Sequence, residues 1–166
     1  AYPKSSKWGT KFEDLDPEYL NQDLTSHLGG AIIFSKIILK YFLSQGFGNL
    51  LHFSSIQGSS SPKFEHYNGT DMISPIEYSA IKSGIISITK YLAKYYKNNN
   101  IRINCISPGG ILDNQPEIFL NKYRKDCNLK GMLDSEDICE TVSFLLSDMS
   151  KFINGQNIII DDGWSL

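Results

Sequence analysis

A tyrosine and a lysine stand four positions apart in the stretch YSAIK, at Tyr78 and Lys82. In a helix, side chains at this spacing share one face. A phenol has a reference pKa of about 10, so it exchanges protons near neutral pH only if a nearby ammonium favours its charged form. The spacing alone is weakly specific, because nine tyrosines in 166 residues give about one such pair with lysine by chance.

Alternating helices and short apolar strands must position this pair. Asp16 and Pro17 suit an N-cap and a first helical position, and apolar residues three and four apart then predict a long amphipathic helix. The helices are predicted over about 24–44, 77–97 and 135–147, with a short one over 116–125. Strands buried on both faces are predicted at 49–55, 101–108 and within GQNIIIDDG (155–163).

This order predicts an α/β fold with a parallel sheet and crossover helices, in one domain over 1–166. In such sheets ligands bind beyond the carboxyl ends of the strands. Ser55 follows the first strand, Pro108 ends the second, and Tyr78 opens the helix between them, so we expect all three at one edge. We also expect a strand to precede residue 1, since three strands leave the sheet incomplete.

Composition restricts the partners. The net charge of −2 and the pI of about 5.9 predict no nucleic-acid surface. The apolar runs look too short to span a bilayer, and no signal peptide is visible, which predicts a cytoplasmic protein without a membrane segment. Cys105, Cys127 and Cys139 lack CxxC spacing, so we expect reduced thiols and no metal site.

Four segments, in order, resemble the short-chain dehydrogenase/reductase family: HFSS (52–55), YSAIKSGIISITKYLA (78–93), IRINCISPGGI (101–111) and GQNIIIDDG (155–163). A weaker likeness is to flagellin-modification oxidoreductases of nonulosonic acid pathways. The resemblance implies a Rossmann-type doubly wound sheet, NAD or NADP as cofactor, and interconversion of alcohols and carbonyls. It also implies pairing of subunits, as a homodimer or homotetramer, through the two long helices.

The resemblance assigns roles to single residues. Tyr78 matches the catalytic acid/base, Lys82 the lysine that lowers its pKa and holds the nicotinamide ribose, and Ser55 the substrate-orienting serine. Cofactor contacts are implied for Ala1, Tyr78 and Lys82, and for the turn that meets the nicotinamide carboxamide. That turn matches Pro108, Gly109 and Ile111.

The sequence departs from the family pattern at the cofactor site, at one catalytic position and in one loop. The glycine-rich turn TGxxxGxG is absent, so we expect an N-terminal βαβαβ segment, outside this sequence, to hold the pyrophosphate. His27 stands where the family has an asparagine, and it is either a proton relay or a structural histidine. Asp113 replaces a threonine near the cofactor amide. The longer interval after Ser55, KFEHYNGTDM (63–72), is expected to border the substrate pocket.

Other polar residues have plainer interpretations. His52 is expected in the core, and Asn104 is expected to tie its strand to a loop. His66 and Tyr67, in the inserted segment, either touch substrate or face water, and water is the favoured alternative. Trp164 either lines a pocket or covers a subunit contact.

The predicted function is an NAD(P)-dependent oxidoreductase acting on a small, hydroxylated, sugar-like molecule. The alternative is a catalytically silent binding or regulatory protein of the same fold, which His27 favours. A sugar-nucleotide epimerase shares the Tyr/Lys spacing, but SPGGI (107–111) and the short C-terminal region argue against it.

Overall fold

A three-stranded parallel sheet forms the centre of the chain in the computed structural model, which describes residues 4–166. The strands are β1 (Gly48–Phe53), β2 (Ile101–Pro108) and β3 (Asn157–Ile160), in the order β1-β2-β3. Gly48 pairs with Ile101, and Cys105 with Asn157, both in parallel register. The predicted α/β fold with a parallel sheet is therefore confirmed.

Burial differs among the three strands. The central strand β2 is buried along nearly its whole length, as predicted. The prediction of burial on both faces is wrong for β1 and β3, where Phe53 is 43% and Ile159 is 44% exposed. Each of these strands has a sheet neighbour on one side only among residues 4–166. The apolar runs therefore predicted more burial than these two strands have.

A continuous helical segment precedes β1. It consists of α1 (Pro17–Leu24), a π-helical turn at Thr25–Gly29, and α2 (Gly30–Gln45). The predicted cap is confirmed, because the Asp16 carboxylate accepts a hydrogen bond from the Glu18 N–H at 3.0 Å. The helix starts at Pro17, the predicted first helical position, and so extends beyond the amphipathic stretch predicted over 24–44; the wide turn was not predicted.

The apolar side of this segment is largely uncovered. Leu39 is completely buried, but Ile33, Phe34, Ile37 and Tyr41 are 53–65% exposed. By length and composition the span Pro17–Gln45 could cross a membrane, and 17% of its most apolar window is buried. The prediction that every apolar stretch is too short was therefore wrong for this helix, although one such helix is weak support for a membrane span.

The remaining helices lie close to their predicted positions. They are α3 (Ile76–Tyr95), α4 (Glu117–Lys125) and α5 (Cys139–Leu146). The predicted helix over 135–147 begins with a 3₁₀ turn, and Asp134 caps it through a capping box with Asp137. Other 3₁₀ turns lie at Phe12–Asp14, Ile56–Gly58, Phe64–Tyr67 and Asp148–Ser150.

Helix α3 packs on the sheet through Ile81, Ile85 and Ile86, which form one buried cluster with Cys105 of β2. This packing fixes the end of α3 that carries Tyr78 and Lys82 relative to the strand ends. Burying three isoleucine side chains contributes about 1.5–3 kcal/mol each. The helix that carries the chemistry is thus part of the core.

Two predicted structural polar residues are confirmed. His52 is buried, with Nε2 at 2.9 Å from Ser35 Oγ and Nδ1 at 2.8 Å from Thr89 Oγ1, and burial lowers its pKa. Asn104 donates to the Ile153 carbonyl at 2.8 Å and accepts from the Gln156 N–H at 3.0 Å, so it ties β2 to the loop before β3.

Candidate active site

Tyr78 and Lys82 lie on one face of the first turns of α3, and their groups approach each other. The Lys82 ammonium lies 5.5 Å from the centre of the Tyr78 ring and donates a hydrogen bond to the Phe53 carbonyl, at the end of β1, at 3.1 Å. Lys82 is 8% exposed, and burial lowers its pKa. A buried cation thus stands next to the phenol, as the spacing predicted.

The residues after β1 connect the strand to the same helix. Ser54 Oγ donates to the Lys82 carbonyl at 2.8 Å, and Ser83 Oγ donates to the Gly58 carbonyl at 2.8 Å. A side chain at Gly58 would place its Cβ 2.8 Å from the Lys82 carbonyl carbon and oxygen. The turn therefore needs glycine there, and this close contact holds Ser55 beside α3.

A cavity of about 330 Å³ lies at the carboxyl ends of β1 and β2. Five of the predicted site residues line it: Ser55, Tyr78, Pro108, Gly109 and Ile111. The cavity is also lined by His66, Tyr67, Met72, Tyr123 and Trp164. The expectation that residues from both strand ends and from α3 meet at one edge is met.

The turn after β2 is held by backbone and side-chain hydrogen bonds. The Gly109 N–H donates to the Ile160 carbonyl at 2.8 Å, and the Gly110 N–H donates to the Tyr123 hydroxyl at 2.7 Å. A Cβ at Gly110 would lie 2.5 Å from the end of the Met132 side chain. Burial raises the pKa of Tyr123, which therefore stays a neutral acceptor here.

A smaller cavity of about 160 Å³ lies on the other side of Tyr78 and reaches Lys82. His27 lines it from the π-helical turn and stacks on Trp8, with ring centres 5.1 Å apart. Trp8 in turn meets the Tyr78 ring edge-on at 6.2 Å. His27, predicted as either relay or structural residue, is thus buried and lines one cavity with Tyr78 and Lys82.

The inserted segment borders the main cavity, as predicted, through His66, Tyr67 and Met72. The expectation that His66 faces water is wrong, because its side chain is buried at 3% exposure. Its Nε2 lies 2.6 Å from the Asp126 carboxylate, and Phe119 packs against its ring. This hydrogen bond and the aromatic packing compensate for the loss of water.

Trp164 lines the cavity, as one of its two predicted alternatives had it, and it is 3% exposed. Hydrogen bonds in the C-terminal tail hold Trp164 in place: Asp161 accepts from the Gly163 and Ser165 N–H groups at 3.0 and 2.9 Å.

Sequence reasoning missed Asp126, which belongs to no motif and meets His66 only after folding.

Two predicted positions are not found at the main cavity among the described residues. Ala1 is outside the described residues. Asp113 is exposed and is not among the residues that line the main cavity. Its backbone N–H donates to Gln115 Oε1 at 2.7 Å.

The donor set around Tyr78 suits the nicotinamide ribose end of a dinucleotide. Lys82 contributes an ammonium beside a cavity, and Tyr78 contributes a phenol between the two cavities. A ribose presents hydroxyls, which an ammonium and a phenol bind well. Pro108 and Ile111 line the main cavity together with Tyr78, at a position where the carboxamide would be held. The residues present therefore fit this group.

Comparison with known proteins gives consistent matches. The profile described as Enoyl-(Acyl carrier protein) reductase matches residues 2–165. The "Post-translational flagellin modification protein A" of Campylobacter coli is 50% identical over 167 residues, covering 100% of this chain and 65% of its own length. The "7alpha-hydroxysteroid dehydrogenase" of Bacteroides fragilis is 30% identical over 162 residues, covering 95% of this chain and 59% of its own length.

Among solved structures, a short chain dehydrogenase from Leptospira borgpetersenii with bound NAD+ superposes with a TM-score of 0.88. It is 38% identical, and the match covers 95% of this chain and 60% of that one. The chain thus spans 59–65% of the length of these three relatives. Profile, sequence and fold agree, and the chain belongs to the short-chain dehydrogenase/reductase family.

Proposed function

We propose that this chain carries the catalytic part of an NAD- or NADP-dependent oxidoreductase that interconverts an alcohol and a carbonyl. The observation that carries this proposal is the placement of Tyr78 and Ser55 on one cavity, with the Lys82 ammonium 5.5 Å from the Tyr78 ring. The bound NAD+ in the Leptospira relative supports the choice of cofactor.

Lys82, Tyr78 and the turn of Pro108, Gly109 and Ile111 hold the nicotinamide end of the cofactor in this proposal. When bound, the nicotinamide supplies or accepts a hydride at the substrate carbon. The part that holds the pyrophosphate is proposed to be an N-terminal βαβαβ segment, with residues 1–166 as the C-terminal part of one Rossmann-like domain. Ala1 is proposed to contact the cofactor near that junction.

Tyr78 exchanges the proton with the substrate oxygen. During alcohol oxidation it accepts the hydroxyl proton as a phenolate, and during carbonyl reduction it donates that proton back. The Lys82 ammonium favours the phenolate, because two opposite charges in a poorly solvated cleft attract more strongly than in water. Ser55 donates a hydrogen bond to the same oxygen and steadies the charge that develops on it.

His27 is proposed to pass the proton onward. It lines the smaller cavity together with Tyr78 and Lys82. An imidazole can both accept and donate a proton near neutral pH, so it can replace the family's asparagine in a relay.

The substrate is proposed to be small, hydroxylated and sugar-like. His66, Tyr67 and Trp164 give the cavity wall polar groups among aromatic rings. The likeness to the Campylobacter coli protein supports a role in flagellin modification.

The test is the turnover of an alcohol panel by the intact natural protein with NAD+ or NADP+, measured as the change in nicotinamide absorbance. Tyr78→Phe should lower kcat by about 10²–10⁴-fold, the usual contribution of a positioned acid/base. Tyr19→Phe is the control, since Tyr19 lies in α1 and lines neither cavity. Equal activity of Tyr78→Phe and the natural protein would refute the proposed role.

The rival function is a silent binding or regulatory protein, favoured by the stacking of His27 on Trp8, which suits a structural histidine. Cofactor fluorescence would then change on binding while no member of an alcohol and sugar panel is oxidised. Restoring asparagine with His27→Asn discriminates further: a gain in turnover supports the rival, and a loss supports the relay.

Self-association is proposed through the exposed face of α2 and the neighbouring α3, giving a homodimer or homotetramer. Ile33, Phe34 and Ile37 leave an apolar surface that a second copy would cover. This accounts for the apolar helix without a membrane, and the free cysteines fit the proposed cytoplasmic location. Ile37→Asp should shift the sedimentation of the protein to the monomer, whereas an unchanged sedimentation would refute this surface.

A further inference from the structure

Trp164 carries a buried donor without an acceptor. Within residues 4–166, its indole Nε1 is one of two buried side-chain polar atoms that have no hydrogen-bond partner. The side chain lines the main cavity and is 3% exposed. Buried donors are nearly always paired in native proteins, so an orphaned one on a cavity wall points to an acceptor supplied by a bound molecule.

The indole is held in place from several directions. Tyr123 stacks on it, with ring centres 5.7 Å apart and planes 17° apart. The Lys63 ammonium lies 4.7 Å from the ring centre and donates to the Trp164 carbonyl at 3.0 Å. A group fixed this way loses little conformational freedom when a ligand binds, which favours specific recognition.

His66 lines the same cavity, and its ring centre lies 6.0 Å from that of Trp164. Its Nε2 lies 2.6 Å from the Asp126 carboxylate, which is not among the residues lining the cavity. Burial raises the pKa of Asp126, but the hydrogen bond from His66 and the nearby Lys63 ammonium outweigh it and leave the pKa below its ordinary value.

An ionised carboxylate can only accept a hydrogen bond, so Nε2 of His66 donates to Asp126. In the neutral imidazole this leaves Nδ1 as a hydrogen-bond acceptor. In this part of the cavity wall, Trp164 then offers a donor and His66 an acceptor.

We propose that His66 and Trp164 bind a hydroxyl group of the substrate, separate from the oxygen that reacts at Tyr78. This deepens the proposed function and rests on it. A hydroxyl suits the wall because it accepts from the indole N–H and donates to the imidazole at once. The substrate is accordingly a molecule with at least one further hydroxyl. Asp126 is a positioning residue, acting through His66.

Two other substrate classes fit less well. A hydrocarbon tail would leave the indole N–H without an acceptor. A carboxylate would need a cation, and no lysine or arginine is among the described residues that line this cavity. The Lys63 ammonium already interacts with two other groups, since it lies 3.4 Å from the Asp126 carboxylate and donates to the Trp164 carbonyl at 3.0 Å.

Three matched probes test the assignment by calorimetric binding to the intact natural protein. They are cyclohexanol, cyclohexane-1,4-diol and 4-hydroxycyclohexane carboxylate, which differ only in the remote group. The diol should bind about three- to tenfold more tightly than cyclohexanol, the usual worth of a neutral hydrogen bond. Equal binding of the three probes, binding of none, or tightest binding of the carboxylate would overturn the proposal.

Variants assign the preference to the two side chains. Trp164→Phe removes the donor, and His66→Gln keeps an N–H for Asp126 while removing Nδ1. Each should reduce the diol-to-cyclohexanol ratio to about one, and Asp126→Asn should reduce it partly. His52→Gln is the control, because it disturbs a buried histidine away from this cavity.

The ratio should stay at its natural value in His52→Gln, even if that variant is less stable. A natural ratio in both Trp164→Phe and His66→Gln would refute the proposal. Tyr78→Phe separates it from the proposed function: this variant should lose turnover and keep the ratio. Full turnover by Tyr78→Phe would refute the acid/base role and leave the binding result to be judged by itself.

Discussion

Gly58→Ala tests whether the contact between the turn after β1 and α3 sets the active-site geometry. A Cβ at Gly58 would lie 2.7 Å from Ser54 Oγ and 2.8 Å from the Lys82 carbonyl carbon and oxygen. Ordinary contacts of this kind begin at about 3.4 Å, and two of these three atoms are backbone, so α3 has to move by about half an ångström.

The expected cost is that of overpacking, about 1–3 kcal/mol of unfolding free energy. The same movement would break the hydrogen bond from Ser54 to Lys82 and displace Tyr78 relative to Ser55. Catalysis depends on sub-ångström placement, so kcat/KM should fall by about 10- to 100-fold.

Gly30→Ala is the matched control, because Gly30 has helical backbone angles and nothing within 4 Å of an added Cβ. This variant should gain about 0.5–1 kcal/mol from reduced backbone entropy of the unfolded chain. Urea unfolding measures both stabilities, and cofactor absorbance measures both rates. If Gly58→Ala matches the natural protein in stability and rate, the argument from close contact is wrong.

Further predictions concern stability. Leu39→Ala, at a completely buried position, should cost about 2–5 kcal/mol in urea unfolding, whereas Leu129→Ala, at an 83% exposed position, should change it by less than about 0.5 kcal/mol. The pKa of His52 is lower in the folded than in the unfolded protein, so the unfolded state is protonated first as the pH falls. The contribution of His52 to stability is therefore fully present above about pH 6.5 and is lost as the pH drops toward the folded pKa. Unfolding at pH 7 and pH 5 should show this loss, and His52→Gln should reduce it; an equal loss in both proteins would contradict the assignment. Asp134→Ala removes a capping box and should lower the melting temperature through a loss of about 1 kcal/mol, and an unchanged melting temperature would show that the cap is dispensable.

Local patterns in the sequence were sufficient for much of the fold and of the catalytic pair. Strand β2 and helix α3 could be predicted because their apolar periodicity extends over the whole element. The spacing of Tyr78 and Lys82 predicted only that they share a helix face, and the family resemblance supplied their roles.

Features that depend on distant residues could not be predicted this way. His66 is buried because Asp126, 60 positions later, accepts its hydrogen bond. Its aromatic neighbours, Phe119 and Trp164, come from a helix and from the tail. No local pattern reports such a meeting, so the polar segment around His66 looked solvent-facing. The π-helical turn at Thr25–Gly29 likewise departs from the regular helical spacing on which the prediction relied.

The most direct test of the central claim is the pH dependence of kcat/KM for alcohol oxidation by the natural protein and by Lys82→Met. If the ammonium of Lys82 keeps Tyr78 able to accept a proton, removing it should move the rise of the profile to higher pH by about one to three units, the usual effect of one close opposite charge. A profile that rises at the same pH in both proteins would contradict the claim.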